Sequence, residues 1–197
     1  MLLTVKHYFK KAKYILIKNK LSIEKLNTER LILIPYSIKI CRDILNNDFS
    51  DLNKIGLKKA KGWPDDDVME TLPKIINNLS KVKTATGFES WMIIKNDSLE
   101  IIGDIGFKGF SNAEQNIDLG YGIIKEERRN GYAEEAAIAI IKWALSNKEV
   151  KEITAKCIIE NIGSINLLRK LNFVQTMQDD EMVYWVLENG EKNYLLF

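Results

Sequence analysis

The most constraining part of the sequence is a central segment with the pattern of a strand, a basic loop and a helix. Ile117 to Ile124 consists of β-branched, aromatic and small residues, which favour a strand. Glu134 to Asn147 is rich in Ala, Ile and Leu, which is typical of a buried helix. Between them lies a short loop, Lys125 to Ala133, in which Gly131 lets the backbone turn sharply. The segment therefore indicates an α/β fold.

This loop predicts a binding site for an anion. The first N–H groups of a helix lack intrahelical partners and the helix dipole is positive there, so this end attracts phosphate. Arg128 and Arg129 add full charges that can grip an anion in a forked geometry. A solvated basic turn before an ordinary helix is the alternative for this element alone, because phosphate-loop patterns match many unrelated sequences.

The two common nucleotide loops are absent from the sequence. It contains no Gly-x-x-x-x-Gly-Lys-Ser/Thr, and Gly103, Gly106 and Gly109 are spaced three apart, which does not fit Gly-x-Gly-x-x-Gly. We predict that these glycines mark bulges or close backbone approach within a strand. The spacing argues against a kinase, a P-loop hydrolase and a Rossmann dehydrogenase.

The composition of the chain limits both the class of protein and the groups that could catalyse a reaction. A chain of 197 residues that is 46% hydrophobic can bury the core of one domain, and no run approaches the roughly eighteen apolar residues of a membrane span. A net charge of +2 is too small to argue for nucleic acid. Cys41 and Cys157 are isolated and no export signal is present, which indicates the cytoplasm. His7 is the only histidine, so neither a histidine-based triad nor a zinc site is expected. Catalysis would depend on carboxylates, hydroxyls and backbone groups.

We predict a basic N-terminal extension at residues 1–25, one domain at 26–190 and a C-terminal tail at 191–197. The first twenty residues carry six lysines and no acidic residue. The extension is either a terminal arm packed on the domain or poorly ordered, or a surface for an anionic partner.

The rest of the domain alternates between strands and helices. Ser37 is placed to cap a helix, and Pro73 is expected to bend or restart another. The predicted elements outside the central segment are strands at 30–36, 91–94, 101–107, 152–159, 174–177 and 182–187, and helices at 37–47, 68–79 and from 161 to about 171. The order strand, helix, strand predicts that 117–124 and 152–159 pair in parallel through a right-handed crossover.

Three motifs in this order resemble the GCN5-related N-acetyltransferase (GNAT) family. They are Arg128-x-x-Gly131-x-Ala133, Glu160-Asn161-x-x-Ser164 and Leu168-Arg169-Lys170-Leu171-Asn172-Phe173, and the likeness runs from Leu26 to Leu187. The chain is most similar to the branch with the ribosomal-protein N-terminal (RimJ/RimL-type) acetyltransferases. It departs from the family at Asn172, where Gly is common, and at Leu168, where many members carry a tyrosine general acid.

The resemblance implies a fold and a donor. The fold is a single α/β (α+β) domain with a mixed, mostly antiparallel sheet of about seven strands, helices on both faces and a splay between 117–124 and 152–159. The donor is acetyl-CoA, with no metal. Its pyrophosphate would lie on the N–H groups of Arg129, Asn130, Gly131, Tyr132, Ala133 and Glu134, with Arg128 and Arg129 offsetting charge. Its pantetheine arm would bond to the backbone of Tyr121, Gly122, Ile123, Ile124 and Lys125.

Acetyl transfer to an amine requires a base, a donor for the oxyanion and a group that stabilises the departing sulfur. Asp118 matches the acidic position before Gly-Tyr in the family and is our candidate base, directly or through water; an ordinary surface carboxylate is the equal alternative. A backbone N–H near Gly122 or Ile123 would serve the oxyanion. Ser164 would donate to the thiolate and Asn161 would bind the cofactor amide, or both would only start a helix.

We therefore expect an acetyl-CoA-dependent N-acetyltransferase that acts in a ternary complex and is a monomer or homodimer. A peptide N-terminus, a polyamine or an aminosugar is the expected acceptor, and the acidic turn at Trp63 to Asp67, with Phe88 and Trp91, would line its side; packing is the alternative role of the tryptophans. The rival functions are a non-catalytic CoA-binding or regulatory module, and a binding module that uses the basic arm.

Overall fold

A computed structural model of the protein describes residues 25–111 and 113–188. The predicted extension, apart from Lys25, and the predicted tail lie outside these residues, so the domain limits stay predictions. The helices within the described ranges are α1 (Ile38–Leu45), α2 (Ser50–Lys54), α3 (Asp66–Ser80), α4 (Tyr132–Leu145) and α5 (Ile162–Lys170). The strands are β1 (Leu26–Asn27), β2 (Leu31–Pro35), β3 (Lys58–Lys59), β4 (Ser90–Lys95), β5 (Glu100–Ser111), β6 (Asn116–Ile123), β7 (Glu152–Ile158), β8 (Val174–Gln178) and β9 (Met182–Glu188).

All nine described strands form one sheet. Its order is β1-β2-β4-β5-β6-β7-β9-β8, with β3 beside the start of β5. Neighbours along this order are antiparallel except β6 and β7, which are parallel as predicted. The prediction of about seven strands omitted β1 and β3, because strands of two residues are too short to show a period of two.

Helices cover both faces of the sheet, and the direction of alternate side chains shows which helix lies on which face. Trp91 on β4 packs against Trp143 of α4, with ring centroids 5.5 Å apart. Met92, the next residue, points to the opposite face together with its register partner Asp104. Residues of α3 line a cavity with Asp104. The α3 face and the α4 face are therefore opposite sides of the sheet.

The predicted helices are present with small shifts at their ends. Helix α4 begins at Tyr132 and ends at Leu145, two residues earlier at each end than the pattern suggests. The Ser37 hydroxyl accepts a hydrogen bond from the Ile40 N–H at 3.1 Å, which confirms the predicted cap. Helix α3 runs through Pro73 without a restart. In the described part of the chain no helix has the length and apolarity to cross a membrane.

Close backbone approach explains two of the three evenly spaced glycines. A Cβ atom at Gly103 would lie 2.1 Å from the Gly122 carbonyl oxygen, and one at Gly106 would lie 2.4 Å from that of Glu89. Gly109 has a positive φ of 101° where the pairing of β5 and β6 shifts register. The predicted role of these glycines is confirmed. Both cysteines are buried and free, as expected.

Candidate active site

The two central parallel strands separate partway along their length. Pairing between β6 and β7 joins residues 116–119 to residues 152–155 and does not continue to the end of β6. The last four residues of β6, from Gly120 to Ile123, pair with β5 alone. The sheet therefore has an open edge in its middle, in agreement with the expected splay.

Backbone alternation decides which groups face this open edge. The Ile124 N–H donates to the Ile102 carbonyl oxygen at 3.0 Å, so position 124 points towards β5. In an antiparallel pair successive residues point to alternate sides, so Gly122 also faces β5 while Tyr121 and Ile123 face the opening. Of the two expected oxyanion donors, the Ile123 N–H is thus the one directed at the gap.

The loop after β6 presents a run of free backbone donors. Gly131 is the N-cap of α4, has a positive φ of 79° and provides no side-chain cap. Within the described residues, the N–H groups of positions 129–134 have no hydrogen-bond partner, since the first bond of the helix runs from Glu135 N–H to the Gly131 carbonyl oxygen. Arg129 also has a positive φ, 67°, which curls the loop around these groups. Consecutive N–H groups at a helix start form a concave site suited to phosphate.

Two ion-pair networks fix this loop to the sheet. Arg30 pairs with Glu135 at 2.6 Å, and its second guanidinium nitrogen donates to the Asn130 carbonyl oxygen at 2.9 Å. On the other side, Lys95 pairs with Glu127 at 2.7 Å and with Glu100 at 2.8 Å. The loop is therefore held from β2 and from β4 and is not an isolated basic turn.

Arg128 and Arg129 differ in how they are held. The Arg128 Nε donates to the Ile123 carbonyl oxygen at 2.8 Å, and its guanidinium lies 3.6 Å from the Asp67 carboxylate. Arg128 thus connects the end of β6 to the start of α3, which the sequence did not indicate. Arg129 is exposed in the loop.

A cavity of about 650 Å³ lies on the α3 face of the sheet beside the open edge. Its floor is formed by β5 and β6, where Gly120 and Gly122 expose bare backbone. Its wall is α3 along most of the helix, as far as Asn78, with Asp65 and Asp67 at the rim. Asp65 also caps α3 by accepting from the Val68 N–H at 3.0 Å. The predicted acidic turn does therefore border a cavity, although one of its aspartates is explained by capping.

Asp104, a half-buried carboxylate on the sheet, lines this cavity and was missed by the sequence analysis. It lies on β5 directly opposite Gly122, and a small part of its surface opens into the cavity. Burial raises the pKa of its carboxyl to about 7, and the charges of Asp65 and Asp67 add to this shift. The available signal was an aspartate inside an apolar strand, where an unpaired charge is costly.

Asp118, the predicted base, lies farther back along β6. Its carboxylate forms an ion pair with Lys108 on β5, and it is not among the residues that line the cavity. It stands opposite Thr154, in the part of β6 that is still paired with β7. The assignment of Asp118 as base stays a prediction.

The far side of the opening is formed by α5. The Asn161 side chain accepts from the Ser164 N–H at 2.9 Å and caps this helix, which matches the structural alternative for Asn161. The Tyr121 hydroxyl donates to the Ser164 carbonyl oxygen at 3.4 Å across the opening. Leu168 is 1% exposed and belongs to the core. The Tyr121 side chain therefore lies on the α4 face, opposite the side of Asp104, and contacts the first turn of α5.

The aromatic residues expected at the acceptor side are packing residues. Trp63, Phe88 and Trp91 are all buried, and Phe88 packs against Trp143 with ring centroids 5.2 Å apart. Glu89 is buried too and accepts hydrogen bonds from the Thr86 and Gly87 N–H groups. Among the residues described, no three His, Cys, Asp or Glu side chains are grouped so as to hold a metal ion.

Comparison with known proteins agrees with this geometry. A family model described as an acetyltransferase (GNAT) domain matches residues 30–174. YjdG of Bacillus subtilis (strain 168), described as an uncharacterized N-acetyltransferase, is 35% identical over 161 residues, which are 82% of this chain and 96% of YjdG.

Solved structures with the same fold include two ribosomal-protein acetyltransferases. The ribosomal-protein-S5-alanine acetyltransferase from Vibrio fischeri superimposes with a TM-score of 0.61 at 14% identity, covering 86% of this chain and 98% of its own. RimL, a ribosomal L7/L12 alpha-N-protein acetyltransferase in complex with coenzyme A, gives a TM-score of 0.60 at 13% identity over 84% and 98% of the two chains. The fold, the family model and YjdG together show that the chain belongs to the GNAT family and is an acyltransferase.

Proposed function

We propose that the protein transfers an acetyl group from acetyl-CoA to a primary amine, by direct attack in a ternary complex. The observation that carries this proposal is the run of six unpartnered N–H groups at positions 129–134, directly beyond the open edge of β6. A phosphate site that lies directly beyond an unpaired strand edge suits a ligand with a pyrophosphate at one end and an amide-containing arm at the other.

The residues at the opening fit acetyl-CoA, which the family uses. The N–H groups from Arg129 to Glu134 would hold the pyrophosphate, and Arg129 would offset its charge. The outward-facing backbone of Tyr121 and Ile123 would bond to the amides of the pantetheine arm, as an added strand does. When bound, the thioester supplies an activated acetyl carbonyl with a thiolate leaving group.

The transfer forms an N–C bond and breaks a C–S bond. The attacking nitrogen must be neutral, so one proton leaves the ammonium group first, and the sulfur finally receives a proton. The Ile123 N–H is oriented to stabilise negative charge on the acetyl oxygen. Ser164 is our proposed donor to the sulfur, and Asp118 is the sequence-based candidate for the base.

The cavity and the fold neighbours support a choice of acceptor class. The cavity is bordered by carboxylates from α3, which favours a cationic amine. The L7/L12 enzyme is named an alpha-N-protein acetyltransferase, and the S5-alanine enzyme is named for a ribosomal protein. We propose a peptide or protein N-terminus as the first acceptor to examine, with polyamines and aminosugars next.

A two-step experiment tests the function. Calorimetry measures acetyl-CoA binding, and thiol release is then followed with a panel of N-terminal peptides, polyamines and aminoglycosides. We expect binding and amine-dependent release of CoA. Binding without turnover on any amine would instead favour a non-catalytic CoA-binding module, a candidate supported by the apolar Leu168 where a hydroxyl is common in the family. Absence of binding contradicts both functions.

A further inference from the structure

The carboxylates around the cavity are not equivalent. Asp65 caps α3, and Asp67, whose side chain is 83% exposed, lies at the rim near Arg128. Glu70 is exposed on the same helix. Asp104 alone among these four lies in the sheet, and no residue in the described ranges donates a hydrogen bond to its side-chain carboxylate. A half-buried carboxylate with no protein donor can take its proton or a hydrogen-bond donor from what enters the cavity.

Asp104 is also the carboxylate next to the backbone where acetyl transfer is proposed. A Cβ atom at Gly122 would lie 3.6 Å from the Asp104 Oδ1, so the carboxylate extends over the bare backbone of β6. A Cβ atom at Gly120 would meet nothing within 4 Å, so the floor beside it is open. The Ile123 N–H, which faces the open edge, follows one residue later. An amine in the cavity can therefore lie between Asp104 and that edge.

We propose that Asp104 binds the ammonium group of the acceptor and accepts its proton, in place of Asp118. This inference rests on the proposed function. The ammonium nitrogen gives one proton to the Asp104 carboxylate, and the freed lone pair forms the N–C bond with the acetyl carbon. The nitrogen loses its second proton as the C–S bond breaks, and one proton ends on the sulfur. Asp104 then returns its proton to solvent through the cavity.

The surroundings of Asp104 suit this role. The titratable and charged groups that face it from the neighbouring elements are Asp65, Asp67, Glu70 and Lys74 from α3, Lys108 from β5, Tyr36 after β2 and Cys41 on α1. Burial raises the pKa of Cys41 to about 12 and that of Tyr36 well above its ordinary value, so both stay neutral at pH 7. The acids from α3 favour a cationic acceptor, and a carboxyl that titrates near pH 7 matches what a general base requires.

The test compares Asp104 with an aspartate that does not line the cavity. Asp104→Asn should lower kcat by about two to four decades, the usual range of general-base catalysis, with acetyl-CoA affinity unchanged. The wild-type kcat should rise with pH and level off above about pH 7, and this rise should vanish in the variant. Asp180→Asn, in the exposed turn between β8 and β9, is the matched control and should stay within about threefold of wild type, because Asp180 is not among the residues that line the cavity.

Acetyl-CoA affinity and thermal melting show whether Asp104→Asn is folded. If the folded variant keeps its turnover and pH profile, or if the wild-type profile shows no group near pH 7, the inference about Asp104 is overturned and the proposed function stands. If wild type turns over no amine, the proposed function fails. Whether Asp104 binds the ammonium group of an amine is then decided by measuring amine binding. Calorimetry with spermidine and the CoA-bound protein at pH 8 should then show at least tenfold weaker binding to Asp104→Asn; equal binding overturns the inference.

Discussion

Gly131 has three roles in the proposed phosphate loop. Its φ of 79° belongs to the left-handed region, where other residues are strained. A Cβ atom there would lie 3.3 Å from an Arg30 guanidinium nitrogen, the group that also holds the Asn130 carbonyl. One residue thus sets the turn, leaves its N–H free and makes room for the arginine that fixes the loop.

We expect Gly131→Glu to abolish acetyl-CoA binding in calorimetry. The added carboxylate repels phosphate where charge-assisted hydrogen bonds are proposed, a loss on the order of 3 kcal/mol or more. Gly109→Glu is the matched control, because Gly109 has a similar positive φ of 101° but open space around it. If the two folded variants bound acetyl-CoA with equal affinity, the proposal that the pyrophosphate binds to this loop would be wrong.

Helix α4 is connected to the sheet edge through one glutamate. Glu135 accepts from the Thr28 hydroxyl at 2.5 Å, the Arg30 N–H at 2.8 Å and the Arg30 Nε at 2.6 Å. Burial alone would raise the pKa of Glu135, but these hydrogen bonds outweigh it and lower the pKa. The sequence analysis did not assign this role, because the partners are more than a hundred residues apart in the chain.

Glu135→Gln should lower the free energy of unfolding by about 1–3 kcal/mol at pH 7, since charge-assisted bonds to a partly buried group are lost. A carboxyl whose pKa is depressed on folding stabilises above its unfolded pKa, so the difference between variant and wild type should shrink as pH falls below about 4.5. Urea denaturation at several pH values measures this. Glu134→Gln, which breaks only the exposed pair with Lys170, should change stability by at most about 1 kcal/mol.

For the whole molecule, local patterns predicted the elements but not their partners. The central strand, loop and helix were readable because their composition and glycine position are local properties. The parallel pairing of β6 with β7 followed from the order of elements. An aspartate inside an apolar strand was a local signal for Asp104, but its role could not be inferred this way, since that role comes from facing Gly122 across the sheet and α3 across the cavity. The ion pair of Asp118 with Lys108 likewise depends on the register of β5 and β6.

The half-buried carboxyl of Asp104 should also affect the stability of the whole domain. Its pKa of about 7 in the folded protein lies above the ordinary aspartate value of 3.8. Between these two pH values the folded state therefore holds a proton that the unfolded state has lost. This carboxyl therefore makes stability fall as pH rises from about 4 to about 7, and its contribution is constant above that. In scanning calorimetry, Asp104→Asn should gain melting temperature relative to wild type across this range and keep a constant difference at higher pH. Parallel curves for the two proteins from pH 5 to pH 8 would mean that Asp104 is already ionised at pH 5 in the folded state.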